Sequence, residues 1–150
     1  MEAKNKEYQI HSIPWEFEGA PRREKIAYLC YFTSESCEEY RDFDDKLTLF
    51  GRYRVDADVL IIDKERISPE VWNALLKGFR IKEIPALVIS ESPLNIENVL
   101  KEGATEYKPP SGEITVYTPE DIHKHIYDAD EFLNNLLENF RSKRVTEERD

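Results

Sequence analysis

The sequence KIAYLCYFTSESC, residues 25–37, joins an apolar segment to a polar turn. Apart from Lys25, its first eight residues are apolar or aromatic, which is typical of a strand buried on both faces in the middle of a sheet. The following turn, Thr33–Ser36, offers side chains that cap helices, so we predict a helix from Ser36 to about Arg52. This order places the turn at the carboxyl edge of a central strand, where α/β proteins commonly keep their functional sites.

The composition limits the class of protein. A chain of 150 residues with 40% hydrophobic content is expected to form one domain with a sizeable core. The net charge of -10 argues against nucleic acid or an anionic membrane as the main partner. The many charged residues and the single Gln9 resemble the composition of proteins from thermophiles.

The lack of a recognisable targeting signal and the small number of cysteines indicate a cytoplasmic protein. The N-terminal residues are polar and lack a signal-peptide pattern, and no apolar stretch approaches the eighteen residues of a membrane span. The two cysteines, Cys30 and Cys37, are too few for a disulfide framework. A Cys30–Cys37 disulfide is conceivable, since both residues border the same turn.

The remaining chain predicts a βαβ unit followed by a more elaborate C-terminal half. Asp58–Asp63 reads as a second buried strand, and Ser68-Pro69 as a helix start, so the two central strands should be parallel. Further helices are expected after Pro93, after Pro119 and near residue 129. Three other expectations concern the termini and the segment between these helices: an N-terminal strand or arm with a connector in 1–24, a hairpin in 106–117 and a fraying charged tail in 143–150. The domain core should therefore span about residues 25–142.

The most specific motif is Phe79-Arg80-Ile81-Lys82-Glu83-Ile84-Pro85-Ala86. A proline that opens a strand marks an edge, a turn or a cis bond, because it cannot donate a hydrogen bond to a neighbouring strand. The motif resembles the segment of the thioredoxin fold in which a cis-proline opens the strand beside the active-site loop. A central strand that leads into a loop and a long helix, as in residues 26–50, is also similar to that family.

The resemblance implies an α/β, thioredoxin-like fold, a central mixed β-sheet flanked by helices, with extra helices in the C-terminal half. It places the family's Cys-x-x-Cys motif on Ser34-Glu35-Ser36-Cys37, so the nucleophilic cysteine is replaced by serine. Candidate catalytic residues are then Ser34 and Cys37. The candidate substrate-binding residues are Thr33, Glu35, Ser36, Ile84 and Pro85.

Two interpretations of Cys37 follow from its surroundings. A thiol in the first turn of a helix can have a lowered pKa and be reactive. The acidic neighbours Glu35, Glu38 and Glu39 instead disfavour a thiolate. The competing interpretation is a buried, inert cysteine, since free cysteine commonly behaves as a small hydrophobe.

The leading functional hypothesis is a thioredoxin-like module without dithiol activity, which binds a protein partner or itself. The alternative is a redox enzyme: a single-cysteine oxidoreductase or transferase that acts on thiols or uses glutathione. The sequence favours the non-catalytic form. It predicts no metal site, and no cofactor other than the alternative's glutathione.

A homodimer is predicted from the apolar residues of the C-terminal half. Tyr107, Ile114, Val116 and Tyr117 provide more apolar surface than a minimal fold needs, and two-fold dimers commonly bury such surface. The competing explanation is that the helices after Pro93 and Pro119 cover these residues within one chain.

Overall fold

A computed structural model describes residues 9–10 and 25–149, with side chains described for residues 25–142. The strands are β1 (Gln9–Ile10), β2 (Ala27–Thr33), β3 (Ala57–Asp63), β4 (Ala86–Ser90) and β5 (Ile114–Tyr117). The helices are α1 (Arg41–Tyr53), α2 (Pro69–Phe79), α3 (Ile96–Glu102), α4 (Pro119–Lys124) and α5 (Ala129–Arg149). Most of the predicted N-terminal arm lies outside the described residues.

The strands form one mixed sheet in the order β1-β3-β2-β4-β5. β2 and β3 are parallel, as the strand–helix–strand pattern predicts, and their register places Thr33 opposite Asp63. β4 is antiparallel to β2, β5 is antiparallel to β4, and the short β1 is antiparallel to β3. The predicted α/β class, with a central mixed sheet and flanking helices, is confirmed.

Both faces of β2 are buried because helices cover the two sides of the sheet. On one face, Leu29 and Tyr31 pack with apolar residues of α1, α4 and α5, including Phe43 and Leu133. On the other face, Cys30 and Phe32 pack with residues of α2 and α3. The alternation along one strand thus supplies two separate cores.

The helix α2 begins and ends as its sequence predicts. The Ser68 hydroxyl accepts a hydrogen bond from the Val71 amide at the N-terminus, and Pro69 occupies the first turn. At the other end Arg80 adopts a left-handed conformation with φ of 60°. The chain then reaches β4 through the Ile84–Pro85 peptide bond, which is cis, as the resemblance to the thioredoxin fold implies.

The predicted helix start at Ser36 is wrong. Residues Glu38–Tyr40 form a short 3-10 turn, and the α-helix begins only at Arg41. No side-chain cap is present at Cys37, because the hydroxyls of Ser34 and Ser36 bond to each other instead of to the helix. Cys37 therefore does not lie in the first turn of an α-helix, and the dipole argument for its reactivity does not apply.

The predicted hairpin in residues 106–117 is also wrong. The return strand exists as β5, but its partner is β4 rather than the preceding segment. That segment instead packs across α2, where a Cβ added to Gly78 would lie only 2.8 Å from the Tyr107 carbonyl oxygen. The Tyr107 hydroxyl donates to the Leu94 carbonyl oxygen at 2.8 Å, which fixes the segment in place of strand pairing.

The C-terminal residues predicted as a fraying tail belong to a helix. The backbone of α5 continues through Arg149, well beyond the apolar stripe that predicts it. Among the helices of the described residues, none has the length and apolar character needed to cross a membrane.

Candidate functional site

The loop Thr33–Cys37 leaves the carboxyl end of β2 beside the corresponding end of β3. The Cys37 amide donates to the Ser34 carbonyl oxygen at 2.9 Å, which closes the loop into a tight turn. Phe32 pairs with Ala86, so the register brings Pro85 next to Thr33. The sheet therefore brings the two predicted parts of the site together.

The Ser34 hydroxyl is fully engaged in holding this loop. It donates to Glu65 Oε2 at 2.5 Å. It also accepts from the Ser36 amide at 3.3 Å and from the Ser36 hydroxyl at 3.2 Å. The Glu35 amide donates to the other oxygen of Glu65 at 3.2 Å. The Glu65 carboxylate thus binds the loop to the turn that follows β3.

This geometry does not activate Ser34 as a nucleophile. The hydrogen bond from Ser34 lowers the pKa of Glu65, and the bond from the Glu35 amide acts in the same direction. A carboxylate with a lowered pKa is a weak base towards an alcohol. A serine nucleophile needs a neighbouring group that removes its proton, so the contact is structural in character.

The two cysteines are free and buried. Cys37 is only 7% exposed. Cys30 is fully enclosed on β2, where burial raises the pKa of its thiol. No disulfide joins them. The interpretation of Cys37 as a buried residue agrees with this geometry, whereas a reactive thiol requires access to solvent.

The predicted substrate-binding residues differ in their exposure. Glu35 and Ser36 are exposed at the tip of the loop, Ile84 is half-buried, and Thr33 and Pro85 are buried. Of these five residues, only the two at the tip are therefore fully accessible to a partner. The exposed charges at the tip are acidic, as Glu38 and Glu39 follow directly after Cys37.

Two carboxylates near the loop are not identified from the sequence. Glu65 lies 31 residues after Ser34, and only the parallel pairing of β2 with β3 brings it close. Asp44 projects from α1 towards the Tyr31 hydroxyl. Burial raises the pKa of Asp44 to about 6, although Tyr31 and Arg41 act in the opposite direction. Within the acidic run Asp42–Asp45, no sequence signal distinguishes Asp44.

The histidines of the C-terminal half serve as aromatic packing partners. The His125 ring stacks on Phe132 with ring centres 4.1 Å apart, and its Nδ1 lies 3.1 Å from Asp128. The His123 ring meets Tyr40 edge-on. Within the described part of the chain, no group of three or more His, Cys, Asp or Glu side chains is arranged to hold a metal ion.

Comparisons of the chain with protein-family models, with curated proteins and with solved structures found no match.

Proposed function

We propose that this chain is a thioredoxin-like domain without dithiol chemistry, and that it acts by binding a protein, either a different partner or a second copy of itself. Support for the fold comes from β2, a buried central strand that leads into the Thr33–Cys37 loop and then into α1. The motif ending in Pro85 opens β4 directly beside that loop. This is the relation between loop and proline that the resemblance implies.

The observation that carries the functional proposal is the bond between Ser34 and Glu65. The position that should hold the nucleophilic cysteine holds a hydroxyl whose proton is directed at a carboxylate 2.5 Å away. An alcohol is a far weaker nucleophile than a thiolate near neutral pH. We therefore infer that Ser34 stabilises the conformation of the loop and does not act as a nucleophile.

The glutathione or thiol enzyme gains no support from this geometry. That alternative needs Cys37 to meet a substrate sulfur, but the side chain is almost completely covered. The acidic tip of the loop would also repel the carboxylates of glutathione. We therefore place binding ahead of catalysis.

The binding surface is expected on the outer side of α1. Leu49 and Tyr53 are four residues apart on this helix, so they share one face, and they are 43% and 76% exposed. The apolar residues that predict a dimer are covered within the chain: Tyr107 packs on Phe79 and Tyr117 on Phe132. Their surface is thus a weaker basis for self-association than the exposed pair on α1.

The loss of redox chemistry can be tested by insulin reduction with dithiothreitol as the donor. We expect the wild-type protein to give no acceleration and Ser34→Cys to give a measurable one. Adding Glu65→Gln to the Ser34→Cys variant should increase the rate of insulin reduction further, because removal of the adjacent negative charge favours a thiolate at position 34. The control is Cys37→Ala in the same background, which should abolish the gain. Wild-type turnover comparable to that of a thioredoxin assayed in parallel would contradict the proposal.

The identity of the partner can be narrowed by light scattering at low micromolar concentration. A homodimer through α1 has twice the monomer mass of 17.7 kDa, and Tyr53→Ser should return it towards that value. The matched control is Tyr127→Ser, which removes another exposed tyrosine outside α1. A wild-type mass near 17.7 kDa across a tenfold dilution excludes the homodimer and leaves a different protein as the partner.

A further inference from the structure

Three buried oxygen atoms below the loop have no hydrogen-bond partner in the protein. They are Tyr31 Oη, Thr33 Oγ1 and Asp44 Oδ1. Tyr31 is completely buried and Thr33 is 3% exposed. Because these two residues are two positions apart on β2, their side chains lie on the same face of the sheet. Asp44 approaches that face from α1, next to Phe43, whose ring packs on Tyr31 with centres 5.6 Å apart.

The three groups are close enough to influence one another. Burial raises the pKa of Tyr31, the charge of Asp44 and a side-chain hydrogen-bond interaction with it raise the pKa further, and a hydrogen-bond interaction with Thr33 acts in the opposite direction. These interactions are loose, because none of the three oxygens has a protein partner at the distance and direction of a regular hydrogen bond. Polar groups that interact electrostatically without direct contact are commonly linked through a bridging water.

We propose that Tyr31, Thr33 and Asp44 form the binding site of one internal water molecule that connects β2 to α1. The chemistry of the three groups suits this ligand. A carboxylate accepts, and the two hydroxyls can each donate or accept, so one water can donate to Asp44, accept from Tyr31 and bond to Thr33. Internal waters typically make about three such bonds to buried polar groups that otherwise lack partners.

Among the side chains of the described residues, these three are the complete set of buried polar oxygens and nitrogens left unpaired. Their concentration at one place argues for a single ligand rather than three separate packing defects, because unpaired buried polar groups are rare and costly. A water at this point would connect Thr33, at the start of the loop, to Asp44 of α1. This water site does not depend on whether the loop binds a partner.

The test counts long-lived internal waters by ¹⁷O relaxation dispersion in the wild type and in Tyr31→Phe/Thr33→Val. Both substitutions remove an oxygen while nearly preserving shape, and together they leave Asp44 as the sole partner. We expect the variant to have one long-lived water fewer than the wild type. The matched control is Tyr117→Phe/Thr115→Val, which makes the same two changes on β5 and should leave the count unchanged.

Equal counts in the wild type and the Tyr31/Thr33 variant would overturn the proposal. If that variant does not fold, a high-resolution crystal structure of the wild-type protein decides the question. Ordered density within about 3 Å of all three oxygens supports the site. A direct bond between Tyr31 and Asp44, with no density between them and Thr33, would overturn it.

Discussion

Two carboxylates, the buried Asp56 and the half-buried Asp44, lie towards opposite ends of the same sheet and have opposite electrostatic environments. Asp56 precedes β3 and is held by Arg54, with nitrogen–oxygen distances of 3.2 Å to each carboxylate oxygen, and by Arg141 of α5. Burial opposes its ionisation, but the hydrogen bonds and charges of the two arginines lower its pKa. Asp44 faces the hydroxyl of Tyr31, and burial raises its pKa to about 6.

The comparison shows that the charge of Asp56 stabilises the fold, whereas the charge of Asp44 destabilises it. The cluster at Asp56 joins β3 to the C-terminal helix, and Arg54 extends it by donating to Asn134 at 2.7 Å. Every charge there has an opposite partner. Asp44 is instead half-buried and forms no ion pair among the described residues, although the charge of Arg41 lowers its pKa. A carboxylate whose pKa is raised in this way is common at functional sites.

The largest effect should come from Asp56→Asn, which removes the charge that pairs with both arginines. We expect a loss of about 2–3 kcal/mol in the free energy of unfolding at pH 7, because two guanidinium groups lose a partner that is 8% exposed. The pKa of this group is lowered in the folded state, so its contribution is present above the unfolded value and disappears as pH falls through the folded value. Urea unfolding at pH 7 and pH 3.5 measures the change. An equal loss at both values would contradict the assignment.

The same substitution at Asp44 should have the opposite sign. The folded protein binds a proton at Asp44 more tightly than the unfolded chain, so the stability of the wild type falls as pH rises from about 4 to about 6. We expect Asp44→Asn to be neutral near pH 4 and stabilising by about 1 kcal/mol at pH 7, since partial exposure screens the full linkage effect. Urea unfolding over this range tests it. A destabilised variant at pH 7 would mean that the ionised carboxylate has a strong partner.

The smallest effect is expected at Glu65, an exposed carboxylate near the same end of the sheet as Asp44. Glu65→Gln and Ser34→Ala should each cost less than about 1 kcal/mol, because a hydrogen bond at the surface exchanges with water. A double-mutant cycle between them should give a coupling of about 0.5 kcal/mol. Additive effects would show that the 2.5 Å contact contributes no net stability.

The buried strands and the Ile84–Pro85 motif could be predicted from sequence because each is encoded in neighbouring residues. The apolar run of β2 and the Ser68-Pro69 start of α2 need no information from the rest of the chain. The start of α1 was mispredicted because Ser34 and Ser36 have two sets of possible partners. Local capping and a distant carboxylate compete for the same hydroxyls, and the sequence does not reveal which one is closer.

The candidate site was only half predictable for the same reason. Ser34 and Cys37 were recognised by resemblance, whereas Glu65 enters the site through the parallel register of β2 and β3. Asp44 differs from Asp42 and Asp45 only in its direction from the helix, which depends on where α1 begins. An error of five residues in the start of that helix is enough to hide which carboxylate faces Tyr31.

The contact of Gly78 with Tyr107 has a consequence for protein engineering. Alanine in a helix usually gains about 1 kcal/mol over glycine, so Gly78 is an obvious position for a stabilising change. Here the added methyl group would lie 2.6 Å from the Tyr107 ring and 2.8 Å from its carbonyl oxygen. Tyr107 cannot withdraw without uncovering Phe79 and giving up its bond to Leu94. A redesign of α2 should therefore keep this glycine and place a helix-favouring substitution on the exposed side, at Asn73.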